Sequence, residues 1–215
     1  MLIDMDAQSN LTFALKGDYR DKPTIMEVLM KKIDIVDTIQ HLEEIDLIAG
    51  SPNLSSLESR IEEDGKEFFL DEAIDPLRDM YDYIVIDSPP TLGLNTIGIM
   101  CAADSIIIPV GMDIFSIQGS GQLYRTFAAV KKYANPELVI DGILVTKNSR
   151  SLTNLLNEVA QSMKVQIFNS AIDQNVIIQH AAMAQKSLYA YAPDSTPARQ
   201  FNEFVDEVLK IYGNY

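Results

Sequence analysis

Three aspartates stand where apolar runs give way to polar turns. Leu2-Ile3 runs into Asp4, and Asp6 follows two positions later within Asp4-Met5-Asp6-Ala7-Gln8-Ser9-Asn10. Tyr83-Ile84-Val85-Ile86 runs into Asp87, and Ser88-Pro89-Pro90 comes next. An apolar strand that delivers one carboxylate to its end is suited to ordering the water shell of Mg²⁺ beside a triphosphate. The two prolines hold the exit backbone extended and stiff. Each acid also has a plainer use. Asp6 or Ser9 could cap a strand-to-helix turn, and Asp87 could steady the turn after its strand.

These acids need strands and helices to hold them. Five segments read as strands: Met1 to Ile3 ending in Asp4, Ile45 to Ala49, Tyr83 to Ile86 ending in Asp87, Ser105 to Val110, and Leu138 to Thr146. A weaker sixth is Val165 to Phe168. Most are short and β-branched without clean alternation, as strands covered on both faces are, and such strands are usually parallel. Helical spacing marks Thr24 to Lys32, Phe68 to Met80, Gln118 to Tyr133, Leu152 to Met163 with Ser151 as N-cap, and Pro197 to Tyr212 with Thr196 as cap. Strands alternating with helices predict βαβ units and an open parallel sheet. In such sheets ligands bind beyond the carboxyl ends of the strands, where the three acids lie. No repeat, low-complexity tract or linker divides the chain, so a single domain over residues 1–215 is expected.

Composition narrows the function classes. The 215 residues are 47% hydrophobic and 22% charged, a globular balance. No apolar run approaches the roughly 18 residues of a membrane span, and no basic segment precedes an apolar one as in a secretory signal. One cysteine, Cys101, excludes an internal disulfide framework, and two distant histidines, His41 and His180, argue against a histidine metal site. A reducing cytosolic compartment is the expectation. The net charge is −14, and residues 27–87 hold 17 acids against 5 bases. Any nucleic-acid contact therefore needs a local basic patch. The second half could supply one, with Arg125, Lys131, Lys132, Lys147, Arg150, Lys186 and Arg199 available.

Taken in order, the segments resemble the ParA/MinD family of deviant-Walker P-loop ATPases, in particular the ParA branch that partitions plasmids and chromosomes. Leu2 to Thr12 is similar to the family's second-strand motif L-[IV]-D-x-D-P-Q-x-N, with Ala7 for the usual proline and Ser9 for the usual glycine. Tyr81 to Thr96 resembles its Walker B and switch II segment. Ala102 to Val110, Asp113 and Gly119, Asp141 to Thr146, and Tyr191-Ala192-Pro193 with Ser195 and Ala198 follow at family spacing. One part is missing: no K-G-G-x-G-K-[ST] phosphate loop occurs, and the only Gly-Lys pair, Gly65-Lys66, lacks the glycines before it. The expected fold is thus α/β, a P-loop NTPase-like, mostly parallel sheet flanked by helices, with the first strand and phosphate loop absent. The two strands ending at Asp4 and Asp87 are expected to be central and to flank that empty position. An N-terminally truncated chain is the favoured explanation, and a P-loop-less derivative the other.

The resemblance implies an ATP- and Mg²⁺-dependent homodimer that binds DNA without sequence preference, with a centromere-binding ParB-like partner stimulating hydrolysis. It implies that Asp6 orients the attacking water and Asp4 supports it or the Mg²⁺ shell. Asp87 would hold Mg²⁺ through water. Pro89 and Pro90 would form the γ-phosphate-sensing switch, Asn10 would sit in the nucleotide site, and Thr146 and Asp173 would line the adenine pocket. Lys147, Arg150, Lys186 and Arg199 would face DNA, although Gln174 stands where the family often has arginine. Without its phosphate loop the chain alone is expected to be inactive. The rival is a non-catalytic regulatory or interaction remnant. A MinD-like membrane helix is disfavoured, because Glu203, Asp206 and Glu207 face Lys210 alone in the tail. A cytoplasmic, nucleoid-associated protein is the expected setting.

Overall fold

A computed structural model describes residues 1–61, 65–146 and 152–213. The elements run β1 (Leu2–Asp4), α1 (Asn10–Ala14), α2 (Ile25–Leu29), β2 (Gln40–His41), β3 (Asp46–Ile48), α3 (Leu57–Arg60), α4 (Phe69–Ile74), β4 (Val85–Asp87) and α5 (Leu94–Ala102). They continue with β5 (Ser105–Gly111), α6 (Ile114–Tyr133), β6 (Val139–Thr146), α7 (Thr153–Met163), β7 (Ile167–Ile172), α8 (Val176–Met183), α9 (Leu188–Tyr191) and α10 (Thr196–Tyr212). Two compact units divide them. The first holds 1–103 and 182–187, the second 104–181 and 188–215.

The first unit is built on a four-stranded sheet ordered β2-β3-β1-β4. β1 lies between β3 and β4 and is parallel to both, while β2 is an antiparallel edge. Leu2, Ile3 and Asp4 pair in register with Val85, Ile86 and Asp87. The expectation of an empty strand position between these two strands is therefore wrong. They are direct neighbours, and among the described residues the second edge of β4 is the unpaired one. Adjacency of this kind follows from which faces the helices cover, which no local pattern encodes.

Burial explains the short elements. Ile3, Met5 and Ile48 are fully buried, packed with Leu57, Leu70 and Leu77 from the helical side. α2 is only five residues long but carries a complete capping box. The Thr24 hydroxyl accepts from the Met26 amide, and the Glu27 carboxylate accepts from the Thr24 amide at 3.0 Å. α4 stops at Ile74 because Pro76 cannot continue it, so the expected helix to Met80 ends in a 3₁₀ turn. α5 lies against α4. A Cβ on Gly98 would come 2.5 Å from the Phe69 ring, so glycine sets that close approach.

The second unit has a three-stranded parallel sheet, β5-β6-β7. Ile108, Val110 and Ile143 pack on Ile117 of α6 and on Leu156, Ala160 and Met163 of α7. Leu144, Phe168 and Ile172 pack on Phe201, Phe204, Val208 and Ile211 of α10, with the Phe168 and Phe204 rings edge to face at 5.1 Å. Helices thus cover both faces of this sheet, as its unbroken apolar strands imply. α6 begins earlier than its periodicity shows because Asp113 caps it, its carboxylate accepting from the Ser116 amide at 2.9 Å. The cap of α10 is Ser195, whose hydroxyl accepts from the Ala198 amide, and not Thr196. The expected cap Ser151 lies outside the described residues. No helix among them is long and apolar enough to cross a membrane.

Candidate functional site

β1 and β4 place Asp4 and Asp87 side by side at their carboxyl ends. Their surroundings differ sharply. Asp4 is fully buried, and its carboxylate accepts from the Asp6 amide (3.1 Å), the Thr12 amide (2.9 Å) and the Thr12 hydroxyl (2.7 Å). Thr12 in turn accepts from the Gly50 amide at 2.9 Å, so the ends of β1 and β3 are joined through one hydroxyl. A Cβ on Gly50 would lie 2.8 Å from the Asp4 carboxyl carbon, which leaves room for glycine alone. Thr12 and Gly50 escape a sequence reading. The available signal is that Ile45 to Ala49, a strand pattern, ends at that glycine.

Asp6 is half-buried one turn further on. Its carboxylate accepts from the Gln8 amide at 3.0 Å and its carbonyl from the Ser9 amide at 2.9 Å, so the turn-holding use of Asp6 is present. Ser9 stands at the N-cap position of α1 with φ 53, a left-handed conformation that favours glycine. Its hydroxyl makes no capping bond and, although buried, has no hydrogen-bond partner. Asn10 begins α1 and is exposed.

Asp87 is exposed on its open side, yet its pKa is pushed up to about 6. The surrounding protein strips water from the carboxyl group, and the Asp4 and Asp6 charges add repulsion. Pro89, half-buried, and Pro90, exposed, then lead away toward α5. Among the described residues no ion pair reaches Asp4, Asp6 or Asp87. Asp87, exposed and beside two further acids, is the carboxylate left available to a hard divalent cation. Among the described residues no group of three or more side chains could cage a metal alone. Mg²⁺ keeps several waters and takes one or two carboxylates beside phosphate oxygens.

The remaining candidates are elsewhere. In the second unit Thr146 ends β6 beside Ile172, and Asp173 follows directly. Asp173 is held by Gln200 of α10, whose amide donates to its carboxylate at 2.9 Å and accepts from its backbone at 3.2 Å. Arg199 donates to the Asp194 carbonyl and the Thr196 hydroxyl, bracing the start of α10. Lys186 is exposed in the first unit. Lys147 and Arg150 lie outside the described residues.

Known proteins match this arrangement along its length. A family described as AAA domain matches residues 1–140. The sporulation initiation inhibitor protein Soj of Bacillus subtilis is 31% identical over 216 residues, 97% of this chain and 85% of Soj. The chromosome partitioning protein ParA of Myxococcus xanthus is 32% identical over 219 residues, 98% of this chain and 77% of that protein. A cobyrinic acid a,c-diamide synthase from Mycobacterium smegmatis, solved with ADP and magnesium, superposes with a TM-score of 0.83 at 27% identity, covering 99% of this chain and 82% of its own. The septum site-determining protein MinD of Pyrococcus horikoshii, complexed with Mg-ADP, shares the fold at a TM-score of 0.79 and 22% identity over 99% of this chain and 84% of its own. With acids at paired parallel strand ends and relatives matched over nearly all of this chain, the chain belongs to the ParA/MinD family of P-loop ATPases.

Proposed function

We propose that the protein is a ParA-type partition ATPase, active as an ATP-dependent homodimer in a form that carries a phosphate loop. The observation behind this reading is the in-register pairing of Asp4 with Asp87, which sets Asp87 beside the charges of Asp4 and Asp6 with, among the described residues, no ion pair to any of them. Similarity to Soj and ParA over nearly the whole chain supports the partition role. We extend the reading to non-specific DNA binding and a ParB-like partner, in a cytoplasmic, nucleoid-associated setting.

The residues fit Mg²⁺ but not the phosphates of ATP. No Gly-rich phosphate-loop motif occurs in the sequence of residues 1–215, and Gly65-Lys66 begins a 3₁₀ turn. Bound Mg²⁺ neutralises phosphate charge during phosphoryl transfer. Asp87 would be the residue to hold the cation and is ionised above about pH 6. Asp6 would orient the attacking water. Asp4, bonded to the Asp6 amide, fixes the backbone from which Asp6 projects. By the resemblance, Pro89 and Pro90 would stiffen the segment that responds to the γ-phosphate, Asn10 would sit in the nucleotide site, and Thr146 and Asp173 would line the adenine pocket.

Titration of ATP·Mg²⁺ into residues 1–215 tests the first half. Loss of several charge-assisted bonds, each about 1.5–3 kcal/mol, removes measurable affinity, and a low-micromolar dissociation constant would overturn the reading. In a loop-bearing form, Asp6→Ala keeps nucleotide and stops turnover, whereas Asp87→Ala loses Mg²⁺-dependent binding. Equal loss of nucleotide in both variants rejects the separate roles. The second reading is a non-catalytic interaction remnant without a phosphate loop, and a gene whose reading frame upstream of Met1 encodes no K-G-G-x-G-K-[ST] would favour it.

A further inference from the structure

The geometry points to Gln185 as a positioning residue for Asp6, acting through the short helix α1. Its consequence for turnover rests on the role proposed above for Asp6. Gln185 lies just past α8, within residues 182–187, which belong to the first unit. Its side-chain amide donates to the Phe13 carbonyl of α1 at 2.9 Å, across 172 positions of sequence.

The backbone of Asp6 is gripped on both sides, and both threads run to α1. Its carbonyl accepts from the Ser9 amide at 2.9 Å, and the Ser9 carbonyl accepts from the Phe13 amide at 3.0 Å. Its own amide donates to the Asp4 carboxylate at 3.1 Å, and that carboxylate also accepts from the Thr12 amide and hydroxyl. A helix of five residues does not hold itself. Of the five only Thr12 is buried, and Phe13 is 55% exposed. α1 therefore leans on its polar contacts, Thr12 with Asp4 and Gly50, and Phe13 with Gln185. Gln185 holds φ 52, a left-handed backbone that favours glycine, yet glycine would bring no amide to donate. The Phe13 carbonyl also accepts from the Lys16 amide at 3.2 Å, so losing Gln185 leaves that carbonyl with a donor. The Gln185 bond thus bears on where α1 sits, and not on whether the unit folds.

Two variants test this. Gln185→Glu keeps the length and loses the donor. Gln185→Lys restores a donor, and lysine already takes this backbone at Lys16, Lys31 and Lys164. In residues 1–215, amide hydrogen exchange at Asp6, Ser9 and Phe13 is expected to rise about three- to tenfold in Gln185→Glu, with a shift of the Asp6 amide resonance. Exchange at Ile48 and the urea midpoint are expected to stay unchanged, and Gln185→Lys is expected to return the three amides toward their original rates. Unchanged exchange at Asp6 and Ser9, an equal rise at Ile48, or no recovery in Gln185→Lys would each overturn the assignment. Turnover of a loop-bearing form separates this from the role of Asp6. With the amides loosened in Gln185→Glu, kcat is expected to fall about tenfold at unchanged KM. Full turnover with loosened amides would uphold the positioning and reject the role given to Asp6.

Discussion

The end of β1 and the end of β4 carry the same residue, in register, on neighbouring strands. One is sealed and the other open. Asp4 sits on the central strand with its carboxylate bonded to the Asp6 and Thr12 amides and the Thr12 hydroxyl, and its work is to hold the turn together. Asp87 sits on a strand whose other edge is unpaired, exposed and strained by its acidic neighbours. Position within the sheet, rather than the local motif, assigns one carboxylate to architecture and leaves the other for a ligand.

The sharpest way to break this contrast is to remove Asp4. Asp4→Ala leaves a buried amide, a partly buried amide and a buried hydroxyl without an acceptor, and a loss of about 3–5 kcal/mol is expected in urea unfolding of the first unit. A loss below about 1 kcal/mol would show that the sealed site is not structural.

Asp87 should behave in the opposite sense. Its folded pKa, about 6, lies above the ordinary 3.8, so between these values the folded state holds more protons than the unfolded one. Stability then falls as pH rises from about 4 to about 6. Because the group is exposed, solvent screening trims the effect to about 1 kcal/mol. Asp87→Asn is expected to regain that amount at pH 7 and to flatten this part of the pH profile. Unfolding curves at pH 4, 5, 6 and 7 check it, and an unchanged slope would contradict the raised pKa.

The smallest effect concerns the turn that follows the two acids of the first motif and leads into α1. Ser9→Gly relieves a left-handed backbone and deletes an unpartnered buried hydroxyl, so a gain of about 0.5–1 kcal/mol is expected. Destabilisation would mean that the hydroxyl has a role in the completed site.

Much of the fold was legible because β-branched runs ending in Asp or Gly mark parallel strands, and the six proposed runs all contain strands, although β4 is exposed rather than covered on both faces. The two-residue β2 was not, since Gln40-His41 has no strand pattern. Nor was α5, where Leu94 to Ala102 is apolar nearly all round and shows no period. Gly119 and Gly121 sit inside α6 against their propensity and blurred its start, which Asp113 fixes. In the site, the acids could be named from their strand ends. Their division of labour could not, because Thr12 and Gly50 reach Asp4 from eight and 46 positions away only after the sheet has formed.

Neither unit is continuous in sequence, and this bears on synthesis. The first unit is finished by residues 182–187, where the Gln185 side chain donates to the Phe13 carbonyl at 2.9 Å across 172 positions. The second is closed by α10, whose Tyr212 hydroxyl joins Ser105 and Asp141 at separations of 107 and 71. On a ribosome emitting about 5–20 residues each second, the N-terminal sheet waits several seconds or more for its last contacts. The Leu144, Phe168 and Ile172 face also stays bare until the final helix emerges. Contacts this distant favour slow closure, so a holdase covering those strands would raise the yield of folded chain.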